Sequence, residues 1–479
     1  MALLDLPAEI LQQILLECFV NRGWKRVLRL RLVNKLFAAE VLGMIYTHDL
    51  LDGYFQSLSG NSAQARPPYI AGYMAYRASK EPVDGMVNLV TIREVTQRIS
   101  RELNLELDRE TTCNRECMVT LCSQVARGSY SLASIFDKST VRPNDGDLAL
   151  HLLAAAAFMN LLQLSTKMVE QKCPFERTSS LFGNPVQHAL RHGSLDMVKL
   201  FPRVYSNSNH LHEAARNGSF DCFKHLYDID TVNFAAHGTP NPWRFEYSSS
   251  IDRRSSALET WLFTPSIDVF KYVMEIRQTS EEWKGPLNEG LLARLMTNYA
   301  ATGKATMARY ILHEHNAPVD VLALWKKHTP LLRACHNGQT EMVQLLINLG
   351  AKTKGAVELA AAGGHEQTVR TLLDHGAEVS GAVLSNPAKL GRISMVRLLL
   401  DNGADPNEGS PNALVTAIAL EHKAMFNLLL ERGAVLSKEV GEECVKRAKA
   451  DGLESMLVFL EEIGVDIVTT WLGSHDFLL

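Results

Sequence analysis

The sequence predicts an all-α protein in which most of the chain forms a helical solenoid, and three observations support this prediction. A pattern of glycines and branched or aromatic residues recurs at fixed internal spacing from about residue 148 onward. Leucine and alanine dominate, whereas aromatic residues make up only 7% of the chain, a balance that favours helices packed closely on helices. Two stretches within the first fifty residues also carry apolar residues at helical spacing.

Charge and hydropathy narrow the classes of partner. The 479 residues include 49 basic and 53 acidic side chains, for a net charge of −4. A nucleic-acid-binding domain is usually strongly basic, so we expect no nucleic-acid partner. The N-terminus lacks the basic stretch of a secretory signal, and the most apolar run, residues 148–164, is short for a membrane span. We therefore expect no membrane partner, a cytoplasmic and/or nuclear location, and reduced cysteines.

The first predicted element is a pair of helices within residues 1–46. Asp5 is placed to cap the first helix, and Leu6 and Pro7 begin it. A second apolar face runs from Val27 to Phe37 and is interleaved with basic residues. We interpret these basic residues as a solvated helix face rather than a nuclear-localisation or nucleic-acid patch, because they alternate with core leucines.

These residues resemble an F-box, whose pattern begins LPxEIxxxIL and ends LRLVCRxF. The chain has LPAEILQQIL and LRLVNKLF, with Asn34 in place of the frequent cysteine. F-boxes lay apolar helix residues into a groove of the Skp adaptor of cullin-type ubiquitin ligases. The residues that match, and that would make this contact, are Leu6, Pro7, Ile10, Ile14, Leu28, Leu32, Val33 and Phe37. The alternative is that the segment is only a helical cap of the array that follows.

Residues 47–147 fit neither pattern and are predicted to be a helical connector. A stretch near 57–68 is rich in Ser, Gly and Pro and is expected to be flexible. Two amphipathic helices are predicted beyond it, from Val87 and from Cys117. The connector would set the distance between the F-box-like segment and the array.

The repeat array is predicted over residues 148–466, and its clearest copy runs from Thr329 to Ala351. In each copy a branched or aromatic residue lies five places after a first glycine, and a second glycine lies twelve places after it. Four copies obey this rule, with first glycines at Gly338, Gly364, Gly391 and Gly452. A fifth copy has Glu421 in the place of the first glycine. Each copy is predicted to be an antiparallel helix pair that must stack on its neighbours.

The repeat resembles the ankyrin repeat. TPLLRACHNG matches the family signature TPLHxAAxxG, although Leu332 replaces the usual histidine. Poorer copies extend the pattern upstream to about nine degenerate units, followed by a tail at 467–479. First-glycine positions from 303 to 452 are separated by 35, 26, 27, 30 and 31 residues, so the projecting fingers are expected to be shortened. This irregularity resembles F-box–ankyrin proteins of the fungal type.

Two segments are candidate client-binding sites. The gap of 47 residues between Gly218 and Pro265 predicts an insertion near 231–255, and such insertions often lie on the binding face. It contains Trp243 and Phe245. The second candidate is Trp325, Lys326 and Lys327 near a finger tip, since an exposed Trp beside two lysines suits an interface hot spot. The alternatives are a self-packed loop for the insertion and packing of Trp325 on the next finger.

We find no pattern typical of catalysis or metal binding. The spacing of Cys113, Cys117 and Cys122 matches no common zinc site, so core positions are expected. His188 and His192 lie one helical turn apart but are expected to be ordinary helix-face residues. The sequence HEAAR resembles the start of HExxH, yet Arg216 stands where the second ligand should be. We therefore predict no catalytic residue, metal or cofactor.

Taken together, these resemblances predict a substrate-recruiting adaptor of a Skp/cullin/F-box-type ubiquitin ligase, with the array binding a client protein. Such a protein would act by raising the effective concentration of client near the ligase, and would not itself be an enzyme. The alternative is an ankyrin-repeat interaction scaffold with no role in a ligase.

Overall fold

The computed structural model describes residues 7–22, 35–48, 50–52, 69–103, 107–127, 132–137, 141–201, 208–237, 257–279, 284–321, 328–379 and 383–467. Every regular element in these ranges is a helix, apart from an isolated β-bridge between Ser179 and Gly183. The predicted all-α class is confirmed. The chain divides into two compact units, Met1–Phe245 and Glu246–Leu479.

The first unit contains twelve helices among the described residues. They are α1 (Ala8–Arg22), α2 (Lys35–Thr47), α3 (Tyr69–Lys80), α4 (Val87–Glu102), α5 (Leu107–Arg127), α6 (Leu132–Ile135), α7 (Asp145–Phe158), α8 (Leu162–Glu170), α9 (Pro185–His192), α10 (Leu195–Lys199), α11 (Ser208–Asn217) and α12 (Phe220–His237). No helix within the described ranges combines the length and the apolar character that crossing a bilayer requires. The first residues of the predicted insertion, 231–237, extend α12.

Helices α1 and α2 form a small pair. Leu11 and Leu15 of α1 and Val41 of α2 are buried, and the Gln12 amide donates to Glu40 Oε2 across the pair at 2.8 Å. Burial of these apolar side chains is what holds two short helices together in water.

A partly buried ionic cluster joins the chain after α2 to the connector helices. Arg77 Nη2 of α3 lies 2.9 Å from Asp52 Oδ2 and 3.2 Å from Glu81 Oε2. The Tyr73 hydroxyl donates to Asp52, and Glu81 Oε1 accepts from the Met86 N–H at 2.7 Å, just before α4. Because each charge has an opposite charge or a donor beside it, the cluster fixes the register of these segments without leaving a buried charge unpaired.

The second unit contains fourteen helices among the described residues, mostly in successive pairs. They are α13 (Ala257–Trp261), α14 (Ile267–Thr279), α15 (Glu289–Thr302), α16 (Ala305–Glu314), α17 (Pro330–His336), α18 (Thr340–Asn348), α19 (Ala356–Gly363), α20 (Glu366–Asp374), α21 (Ser385–Lys389), α22 (Ile393–Asp401), α23 (Ala413–Ala419), α24 (Lys423–Glu431), α25 (Lys438–Ala450) and α26 (Glu454–Glu462). The first helices of neighbouring pairs, α15, α17, α19, α21, α23 and α25, pack side by side in chain order.

The clearest copy folds as its residues predict, with one exception. Thr329 Oγ1 accepts from the Leu332 N–H at 3.4 Å, and Pro330 occupies the first turn of α17. Gly338, just beyond α17, has φ +70°, the left-handed conformation that glycine adopts without a Cβ penalty. The sequence of this copy predicts that Val343, Leu346 and Leu349 share the apolar face of the second helix. Val343 and Leu346 are buried on α18, but Leu349 is 48% exposed. The prediction is wrong for Leu349 because this residue lies beyond the last turn of α18.

The left-handed turn persists at two positions where the first glycine is lost, although not at Pro265, whose ring fixes a negative φ. Glu421 has φ +55°, and Asn160, between α7 and α8, has φ +56°. The backbone geometry of the turn is therefore imposed by the packing of the helix pair, and an L-residue at this position is held in a conformation it rarely adopts.

The Glu421→Gly variant is expected to stabilise the α23–α24 pair by roughly 0.5–1 kcal/mol. Removing the Cβ relieves the cost of about 1–2 kcal/mol of a left-handed L-residue. The greater conformational freedom of glycine in the unfolded chain offsets part of this gain. Amide hydrogen exchange of α23 and α24 in the full chain measures the change. Glu421→Ala, which removes the carboxylate but keeps a Cβ, is the control and should show no gain. Equal protection in both variants would contradict the prediction.

A second prediction concerns His188, which is 2% exposed on α9. Its Nε2 lies 2.5 Å from the Phe182 carbonyl oxygen, and burial lowers the pKa of His188 to about 4. The unfolded chain therefore binds this proton first as the pH falls. Stability that is present above pH ~6.5 is lost towards pH ~4, by about 2 kcal/mol at pH ~5.

The measurement is hydrogen-exchange protection of α9 between pH 7 and pH 4.5, corrected for intrinsic exchange rates. His188→Gln keeps a donor for the carbonyl but cannot bind a proton, so its protection should depend less on pH than that of the wild type. His192→Gln, one turn further on at an exposed position, should retain the wild-type dependence. Identical pH profiles for the wild type and His188→Gln would refute the assignment.

Candidate interaction surface

Three successive pairs of neighbouring helix pairs meet through the residue that follows a left-handed turn. Gln339 lies over Gly303 of the preceding pair, and His365 lies over Gly338. A Cβ built on Gly303 would be 2.3 Å from Gln339 Oε1, and one on Gly338 would be 2.3 Å from His365 Nδ1. Arg392 covers Gly364 in the same way. Glycine at this position thus provides space for the neighbour as well as the positive φ.

The same side chains satisfy carbonyl groups at the end of the preceding first helix. Asn337 Nδ2 donates to the Ala301 carbonyl at 2.9 Å and Gln339 Nε2 donates to it at 3.4 Å. His365 Nε2 lies 3.1 Å from the His336 carbonyl oxygen. The last carbonyls of a helix have no intrahelical donor, so these bonds stabilise the helix end and the stack together.

Hydrogen bonds also link the second helices of neighbouring pairs, and they link the fingers, which are the loops between one pair and the next. Thr340 and Thr368 share a hydrogen bond of 2.9 Å, linking α18 to α20. In the fingers, Asp320 Oδ1 accepts from the Lys352 N–H at 3.2 Å, and Asn407 Oδ1 accepts from the Val435 N–H at 2.7 Å. Contacts at the turns, between the second helices and between the fingers together fix the distance between neighbouring repeats, and with it the surface that the array presents.

Exposed charges on the fingers change sign along the array. Lys352 and Lys354 are exposed between α18 and α19, whereas Glu378, Asp405 and Glu408 are exposed on the next two fingers. Leu390, at the turn after α21, is 56% exposed. A partner lying across the fingers therefore meets a basic region and then an acidic one.

The predicted client-binding residues Trp243, Phe245, Trp325, Lys326 and Lys327 lie outside the described residues. So do Leu6, Leu28, Leu32 and Val33 of the predicted adaptor contact. Of the predicted adaptor contact, only Pro7, Ile10, Ile14 and Phe37 lie among the described residues.

The described part of the N-terminal surface is partly exposed. Pro7 is exposed, Ile10 is 46% exposed, and Ile14 is half-buried. Phe37 is 7% exposed, whereas Leu36 beside it is 43% exposed. Sequence reasoning did not include Leu36, because helical spacing alone does not say which of two adjacent apolar residues faces the helix partner.

The residues weighed for metal binding do not converge. His188 is buried and His192 is exposed, with its Nε2 2.6 Å from the Phe158 carbonyl oxygen. Cys117 and Cys122 are buried, and the side chain of Cys113 lies outside the described ones. Over the described ranges, no group of three or more His, Cys, Asp or Glu side chains is arranged to hold a metal ion.

A family model described as ankyrin repeats matches residues 296–382 in three copies. The match covers the pairs whose turns contain Gly303, Gly338 and Gly364, where the stacking contacts described above are found. No F-box match accompanies it, so the N-terminal resemblance stays a prediction. The chain therefore contains ankyrin repeats, three of them between residues 296 and 382.

Proposed function

We propose that the chain recruits a client protein to a Skp/cullin/F-box-type ubiquitin ligase, with the α1–α2 pair docking on the Skp adaptor and the repeats holding the client. Ankyrin repeats support a role in protein–protein interaction. The observation that carries the finer proposal is the exposed apolar surface of the α1–α2 pair, on the segment whose sequence resembles an F-box.

Ile10 and Leu36 are the described members of this surface with the clearest exposure, at 46% and 43%. Apolar area left in water is unfavourable, by about 25 cal/mol for each Å², and a groove that accepts helix residues would cover it. Phe37, which is buried, would support the pair from within. Leu6, Leu28, Leu32 and Val33 enter the proposal through the resemblance alone.

In this proposal the chain performs no bond chemistry. One end binds the ligase core and the other binds the client, so that a client lysine meets the charged ubiquitin carrier at high effective concentration. The small net charge of −4 is compatible with this role, because neither the adaptor contact nor the client contact requires a strongly charged surface.

A second candidate is an interaction scaffold without a ligase role. It is favoured by the burial of Phe37 at 7% exposure, because a residue expected to contact the adaptor is used inside the helix pair. In that case the α1–α2 pair would serve as a cap or as a contact for another protein.

Replacing Ile10 or Leu36 with Asp is expected to weaken binding to a purified Skp-type adaptor at least tenfold, because each exchange removes an apolar contact worth about 1.5–3 kcal/mol when fully buried and adds a charge. Isothermal titration calorimetry with the full chain measures the affinity. Val83→Asp is the matched control, since Val83 is 66% exposed in the same unit and belongs to the turn between α3 and α4. Absence of wild-type binding, or unchanged binding of both variants, would favour the scaffold.

Alanine substitution of Trp325, Lys326 and Lys327 is expected to release client proteins while leaving adaptor binding intact, because the two contacts are made by separate parts of the chain. Affinity purification with quantitative mass spectrometry, with and without inhibition of the ligase, identifies proteins lost from the variant. A Trp243→Ala/Phe245→Ala variant tests the insertion in parallel. Equal loss of client and adaptor would indicate misfolding, and full retention of clients in both variants would exclude both segments.

A further inference from the structure

Four elements of the first unit enclose an open cleft, which we call the connector cleft. It has a volume of about 570 Å³ and lies between the last turn of α2 and helices α3, α4 and α5. Tyr46, Tyr76, Arg93, Gln97, Arg115 and Met118 are among the residues that line it. Sites for small organic molecules commonly enclose about 300–1,000 Å³, and protein interiors otherwise pack with few such gaps.

One wall of the cleft is aromatic. The rings of Tyr46 and Tyr76 have centroids 5.6 Å apart and an interplanar angle of 31°. Tyr46 approaches α3 closely because residue 72 is glycine: a Cβ built there would lie 2.7 Å from the Tyr46 hydroxyl oxygen. Met118 and Ala75 add apolar surface to the same cleft. A flat or aliphatic molecule can therefore lie against these side chains and lose contact with water.

The charged residues lining the cleft are both arginines, and no Asp or Glu is found among the described lining residues. Arg93 Nη1 donates to the carbonyls of Ala78 and Glu81 at the end of α3. These bonds hold the guanidinium in place without neutralising it with a carboxylate. Arg115 is exposed and has no ion-pair partner among the described side chains. The cleft therefore combines apolar walls with two arginines and has no carboxylate among its described lining residues.

We propose that the connector cleft binds a small organic anion with an aromatic or aliphatic body and a carboxylate or phosphate group. The body packs on Tyr46, Tyr76 and Met118, while a guanidinium binds the anionic group through charge-assisted hydrogen bonds. Gln97 and Ser79 offer further polar contacts at the rim. The proposal is independent of the ligase role, because neither the adaptor surface nor the repeats contribute to the cleft.

The test uses 2-naphthoate as the probe, with 2-naphthylmethylammonium as a cation of similar shape and inorganic phosphate as an anion without a body. Titration of the full chain, followed by calorimetry and ligand-observed NMR, gives the dissociation constants. We expect saturable one-site binding of 2-naphthoate, with at least tenfold weaker binding of the cation and of phosphate.

Arg115→Gln is expected to weaken 2-naphthoate binding at least fivefold, and Ser79→Trp, which places an indole at the rim, should abolish it. Both residues are exposed, so circular dichroism should show wild-type folding. Arg98→Gln is the control, because Arg98 lies on α4 but pairs with Glu94 at 2.8 Å. No saturable binding, equal affinity for the cation, or wild-type affinity in both cleft variants would overturn the proposal.

Discussion

The middle of the repeat array depends on one contact, in which Gln339, His365 and Arg392 each lie over a glycine of the preceding helix pair. The contact meets two needs at once. It supplies donors to the carbonyls that end the preceding first helix, as Asn337 and Gln339 do for Ala301, and those carbonyls would otherwise need water. It also places a side chain of the neighbouring pair in the space that a Cβ on the glycine would occupy. A helix pair without its neighbour would lose both effects, so the unit of stability is the stack.

This contact explains which parts of the repeat vary in length. The second helices are each nine residues long, and each begins two residues after the residue in the left-handed turn. They are α18, α20, α22, α24 and α26. The segment from the turn to the end of the second helix therefore has a constant length. The first helices range from five residues in α21 to fourteen in α15. The sequence predicts that shortened fingers account for the irregular spacing of the repeats. The spacing in fact varies in the first helices as well as in the fingers. Where the contact lapses, at Gly391, the following His422 instead caps its own helix by accepting from the Met425 N–H at 3.2 Å.

The sequence is sufficient to predict what local chemistry decides. Thr329, Pro330 and Gly338 mark the ends of α17 because capping and positive φ are properties of single residues. The constant interval of twelve residues between the two glycines of a copy reveals the stack. The sequence is insufficient where the outcome depends on distant partners. The exposure of Leu36 rather than Phe37 depends on how α1 meets α2, and the connector cleft is formed by residues as far apart in the chain as Tyr46 and Arg115. Sequence periodicity does not predict contacts between residues so far apart in the chain.

The stacking contact also limits which residues are available to bind another protein. Gln339 and His365 are already bonded to the neighbouring pair, so using them for recognition would weaken the array. The side chains left for a partner are those of the fingers and of the exposed turn positions, such as Lys352, Lys354 and Leu390. Since their charges run from basic to acidic along the fingers, the array favours a partner whose charges run in the opposite order, and like-charge contacts would disfavour the reversed orientation. Selectivity for orientation can thus be built into residues that contribute little to the fold, which leaves the repeats free to vary there without losing the stack.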